Sequence, residues 1–100
     1  MQFSEHLYVG KKAAPVKAQI IQLLQEKKLQ PEVYVIAPPK NGNNVLDIYP
    51  SALLLVPPYR NEEFLILGIA VTYWEALEVV RELVDDLYRK TGVFRVDELI

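Results

Sequence analysis

Cysteine is absent from the 100 residues, and that absence excludes disulfides, thiolate metal sites and thiol nucleophiles together. Histidine occurs once, at His6, and serine only at Ser4 and Ser51. Ser4 and His6 would share a strand face about 6.6 Å apart, too far for a nucleophile to hydrogen-bond its base. No catalytic residue is expected. Without a His/Cys cluster no metal site is expected either, and no motif calls for a cofactor. Long apolar runs are missing as well. The longest, FLILGIAV (64–71), falls far short of the ~20 residues that span a bilayer. The start, MQFSEHLYV, carries an acid and no apolar stretch typical of a leader. A cytoplasmic protein without membrane association is the expectation.

A basic excess is lacking too. Net charge is −2, whereas a nucleic-acid binder ordinarily neutralises phosphates with surplus Lys and Arg. The charge is uneven: residues 1–50 hold six lysines and four acids, and residues 51–100 hold five basic and nine acidic residues. With half the residues hydrophobic and a quarter charged, the chain is too apolar for disorder. Its length suits one globular domain over residues 1–100.

What is present alternates in period. SEHLYV (4–9) places Glu5, Leu7 and Val9 on one side and Ser4, His6 and Tyr8 on the other, as a half-buried strand does. PVKAQIIQLLQEKKL (15–29) gathers Val16, Ile20, Leu23 and Leu24 on one helical stripe, opened by Pro15 and ended by Pro31. EVYVIA (32–37) and VLDIY (45–49) read as strands, joined through Asn41-Gly42. ALLLV (52–56) reads as a short buried strand, although periodicity does not distinguish it from helix. PPYRNEE (57–63) is a loop and FLILGIAV the strongest strand. TYWE (72–75) matches a capping box, Thr72 accepting from a first-turn amide and Glu75 reaching back. From Tyr73 to Tyr88 apolar residues then recur at helical spacing, and Thr91-Gly92 closes the helix. VFRV (93–96) reads as a final strand.

This order predicts an α+β two-layer sandwich: a ferredoxin-like βαββαβ mixed sheet with both helices on one face. A small helix-flanked parallel sheet is the alternative. With one face covered, the other would carry Tyr8, Tyr34, Ile36, Tyr49, Phe64 and Ile66, an apolar and tyrosine-rich surface suited to contact. We therefore expect a homo-oligomer. Tyrosines on an open sheet also occur in RNA-recognition domains, but YVIAPPK and LDIYP lack the glycines and basic residues of that motif, so nucleic acid is not the expected partner.

VGKKAAP (9–15) raises the possibility of a phosphate cradle. A P-loop needs a second glycine directly before its lysine and Ser or Thr directly after; Lys12 is followed by Ala13, and Gly10 stands alone. What remains is a generic anion site at Gly10, Lys11 and Lys12, with Tyr59 and Arg60 of PPYR as a second candidate ligand pair. Asp85 and Asp86 each have a basic residue four positions on, Arg89 and Lys90, which marks a solvated helix face.

The runs GIAVTYWEALEVV (68–80), LQPEVYVIAPP (29–39) and DIYPSALLLVPPYR (47–60) resemble a group of short bacterial proteins with no assigned activity. The resemblance implies a stand-alone protein and supplies no substrate, cofactor or catalytic residue. Three functional readings follow: a non-enzymatic assembly or partner-binding protein, a sensor of an anionic small molecule, and an enzyme with an intersubunit site.

Overall fold

Alternating residues at the start of the chain form β1 (Gln2–Val9), which runs parallel to β4 (Leu65–Ala70). The computed structural model describes residues 1–40 and 45–91. β2 (Tyr34–Ala37) is antiparallel both to β4 and to β3 (Asp47–Pro50). The four strands make one mixed sheet in the order β1-β4-β2-β3. Only β1 and β4 are parallel, so the all-parallel alternative does not hold. The expected strand VFRV, the Asn41-Gly42 connection and the Thr91-Gly92 stop lie outside the described residues.

The helices are α1 (Lys17–Gln25) and α2 (Tyr73–Thr91). They do not share a sheet face. Ile20 and Leu24 of α1 pack in one core with Val33, Val35, Tyr49, Phe64, Ile66 and Ile69. Ala76, Val79 and Leu83 of α2 pack in a second core with Ile36, Leu67 and Ala70. The expectation of two helices on one face is thus corrected: each helix takes its own face. β2 makes this possible because both sides of YVIA are apolar, as befits a strand buried from both directions.

Strand β4 hides the arrangement from simple alternation. Phe64, Ile66, Ile69 and Val71 belong to the α1 core, whereas Leu65, Leu67 and Ala70 belong to the α2 core. The two-residue period therefore slips by one between Leu67 and Ile69, as a bulge does. β1 compensates, pairing Phe3 with Ile66 but Tyr8 with Gly68. Gly68 is where α2 comes closest: a Cβ there would sit 2.8 Å from Val79 Cγ1. Val79, Leu83 and Leu87 are all fully buried, each stabilising the fold by roughly 1.5–3 kcal/mol.

The α1 face is covered piecemeal. A 3₁₀ turn over Ala14–Val16 precedes α1, which ends earlier than Pro31 requires. Lys28 N–H donates to Leu23 O (3.0 Å) and Lys27 N–H to Leu24 O (3.1 Å), the two bonds of a Schellman stop. Lys27 takes the left-handed position at φ 56°, where glycine is the usual choice. The expected strand at 52–56 is a 3₁₀ helix, Ser51–Leu55. Its three-residue period puts Ser51 and Leu54 together on the buried side. Ser51 anchors it, donating from its N–H to Val33 O and from its hydroxyl to Gln30 O, both at 2.8 Å. No helix among the described residues is long and apolar enough to cross a membrane.

Candidate functional site

The turn after β1 holds an anion of its own. Gly10 N–H donates to Ile69 O (3.0 Å), and Gly10 O accepts from Ala13 and Ala14 N–H. The Glu75 carboxylate then accepts Lys12 N–H at 2.6 Å and Val71 N–H at 3.0 Å. Glu75 is only 6% exposed, and its own N–H donates to Thr72 Oγ1 at 3.1 Å. Thr72 is therefore the N-terminal cap of α2, as its sequence context predicts, but Glu75 reaches past it to the residue before and across to the β1 turn. A Cβ on Gly10 would lie 2.3 Å from Glu75 Cδ. Glycine is present there because a carboxylate fills the space a side chain would need.

This bears directly on the phosphate cradle. The Lys12 amide that an oxyanion would use is taken by Glu75, whose charge opposes a second anion. Lys11 lines a shallow charged recess with Glu78, Arg81, Glu82 and Asp85 of α2. Tyr59 and Arg60, in a short 3₁₀ turn (Tyr59–Asn61), precede the start of β4, while Gly10 lies past the end of the parallel β1. The two candidate ligand clusters therefore sit at opposite ends of the sheet and form no common site.

The six residues expected on one open face are divided between two covered ones. Tyr8, Tyr34 and Ile36 lie on the α2 side, and Tyr49, Phe64 and Ile66 on the α1 side. Tyr8 OH donates to Asp86 Oδ2 at 2.6 Å, so Asp86 turns toward β1 instead of serving only as a solvated partner for Lys90. Burial first, and that hydrogen bond second, push the Tyr8 phenol up to about 12. Tyr34 meets the ring of Tyr73 edge-on at 5.9 Å. Tyr49 is buried, donates to Asp47 Oδ2 at 3.0 Å, and is likewise raised to about 12, chiefly by burial. Its ring contacts Phe64 (5.5 Å) and Tyr59 (6.1 Å). The Lys40 ammonium stands 5.0 Å from the Tyr59 ring and 5.5 Å from Phe64, and pairs with Glu62. Tyr59 thus serves in an internal aromatic cluster, while Arg60 O accepts from Lys27 Nζ at 2.9 Å.

Other open features lie elsewhere among the described residues. One is a cavity of about 410 Å³ under the start of α1. Val16, Ile20, Pro31, Val33 and Val71 form its apolar walls; Gln19, Gln30 and Glu32 supply the polar atoms. Nothing in the sequence marks it, because its walls come from a helix, the following loop and the far end of β4. Another is a flank of α2 where Trp74 is 76% exposed, Tyr88 62%, Tyr73 48% and Leu77 38%. Here the sequence does carry a signal. The apolar positions from Tyr73 to Tyr88 exceed what one core-facing stripe needs, and the surplus is this flank. Among the described residues no three His, Asp or Glu side chains gather as a metal site would require.

The chain matches no family model, and no similar curated protein or solved structure was found.

Proposed function

We propose that this protein works by self-assembly, without chemistry of its own, and that α2 rather than the sheet supplies the contact. The observation that carries this reading is the exposed flank of Tyr73, Trp74, Leu77 and Tyr88. Aromatic side chains present about 150–250 Å² each, so the exposed parts together amount to roughly 500 Å². That is the size of the largest patch on many monomers, roughly 300–600 Å², a kind of patch that is often a contact surface. It also equals the apolar share of a standard half-interface of about 800 Å².

The spacing favours a second copy of the same chain. Tyr73, Leu77, Val80, Val84 and Tyr88 fall along one line of the helix, with aromatics at both ends and aliphatics between. Two such helices packed antiparallel about a two-fold axis near Val80 bring each Tyr73 beside the other copy's Tyr88. A self-complementary patch of this kind is what an isologous dimer requires. Glu78, Glu82 and Asp85 lie further round the helix, so the pairing places no cluster of acids on the seam.

Light scattering of the protein at micromolar concentration tests the reading. The expected mass is that of a dimer. Leu77→Asp, which places an unpaired charge in a dry contact, should return it to a monomer with an unchanged far-ultraviolet dichroism spectrum. A monomeric parent, or a dimer indifferent to Leu77→Asp, overturns it.

A further inference from the structure

We infer that the cavity beneath α1 is a binding site for a small hydrophobic amine, an apolar body bearing an N–H donor or ammonium group. This goes beyond the assembly reading and does not depend on it. The volume, about 410 Å³, falls in the size range of small-molecule sites, ~300–1,000 Å³, in a hollow that is open to solvent on one side. It opens beside Val71, just past the carboxyl end of β4.

Gln30 carries the chemistry. It is only 8% exposed, and its Nε2 donates to Ile20 O at 3.3 Å. Its backbone oxygen accepts from Val33 N–H and from the Ser51 hydroxyl. The side-chain Oε1 accepts nothing from the described residues. Among the described residues no side-chain polar atom sealed from solvent lacks a partner, so Oε1 is open to solvent, and Gln30 lines the cavity. A largely buried carboxamide with its nitrogen anchored and its oxygen open to solvent is a positioned acceptor, one that a ligand's donor can take over from water.

Charge narrows the class further. Among the described residues of the lining, Glu32 is the sole ionisable one, and no Lys, Arg or His contributes. A carboxylate or phosphate would meet apolar walls, an acceptor oxygen and a like charge. An ammonium would meet an acceptor and an opposite charge at the exposed edge, while Val16, Ile20 and Val33 enclose its hydrocarbon part.

The test uses the full chain, methyl-labelled for NMR, titrated with phenethylamine and with its acid counterpart 3-phenylpropanoate. Saturable shifts should appear at the Ile20, Val33 and Val71 methyls, with a dissociation constant on the order of 1 mM for so small a ligand. The acid should bind at least ten-fold more weakly. Val16→Trp, at the exposed mouth, should abolish the shifts. Glu32→Gln should reduce the preference for amine over acid several-fold. Gln30→Met, which keeps the length and removes the acceptor, should weaken amine binding about ten-fold. The proposal fails if the parent shows no saturable shift, if acid and amine bind alike, or if Val16→Trp binds as the parent does. None of these outcomes touches the oligomeric mass, so the two proposals fall separately.

Discussion

The two faces of the sheet are covered by different means. On one, α2 lies as a single long helix against β1, β4 and β2, with Val79 set down on Gly68 and Leu83 and Leu87 sealed beneath it. On the other, a nine-residue helix and two short 3₁₀ segments share the task. The long helix buries Val79, Leu83 and Leu87 completely but has more apolar surface than the sheet can use, and the excess is exposed on its flank. The patchwork spends its apolar residues inward and leaves a gap between pieces. One face thus offers a surface and the other a hollow.

The sharpest way to break this comparison is to truncate one buried aliphatic on each face. Leu83→Ala should cost about 3–4 kcal/mol, since a tightly packed site cannot collapse around the lost atoms. Ile20→Ala should cost nearer 2 kcal/mol, because Ile20 already borders open volume and the truncation enlarges a cavity instead of creating one. Urea unfolding of the two variants measures the difference, and equal costs would mean that the faces are equally well packed.

A smaller effect is expected where the two regions meet. Gly10→Ala forces either the Glu75 carboxylate or the β1 turn to move. Displacing the carboxylate leaves the Lys12 and Val71 amides without a partner, at about 2 kcal/mol. Thermal unfolding of Gly10→Ala checks this. A variant as stable as the parent would show that Glu75 gives way freely and does not tie α2 to the turn.

The smallest expected effect is alkaline. Tyr8, on the α2 face, and Tyr49, on the α1 face, are each raised from 10.0 to about 12 in the folded state. A phenol raised on folding stabilises the fold fully below pH 10, and its contribution is lost as pH rises from 10 to 12. Urea midpoints at pH 8 and pH 11 should therefore differ in the parent. They should differ less in Tyr8→Phe and in Tyr49→Phe, which have no phenol to ionise. Unaltered pH dependence in either variant would exclude that tyrosine as a cause.

Much of the architecture was legible in the sequence wherever period and capping coincide. The alternation of β1, the Ile20 and Leu24 positions of the α1 stripe and the Thr72 cap of α2 fall where the residues place them, whereas Val16 of that stripe lies outside α1 and is exposed. The division of the helices between faces was not legible. Two helices can cover one face of a small sheet or one face each, and the choice rests on whether both sides of a strand are apolar. VYVIA says that they are, but the slip in β4 mixes the two sides of LILGIA and conceals the matching pattern. LLL at 53–55 has no period at all, so a 3₁₀ helix and a strand read alike there. Of the candidate site, the surplus apolar positions of α2 were on view. The cavity was not, nor was Glu75's hold on the Gly10 turn, because each depends on residues brought together from distant parts of the chain.

The β1–β4 pairing also has a temporal side. Ile36 and Ile48 pair across a short span of chain, whereas the paired Phe3 and Ile66 lie about five times as far apart in sequence. Closing the longer loop costs roughly 1.5 kcal/mol more in chain entropy, and pairings of large sequence separation slow folding. Until β1 arrives, one edge of β4 lacks its partner, and β4 belongs to the most apolar run in the chain. An unpaired apolar edge is a template for another chain. The order in which the sheet closes therefore sets how long each newly made molecule is exposed to association with the wrong neighbour.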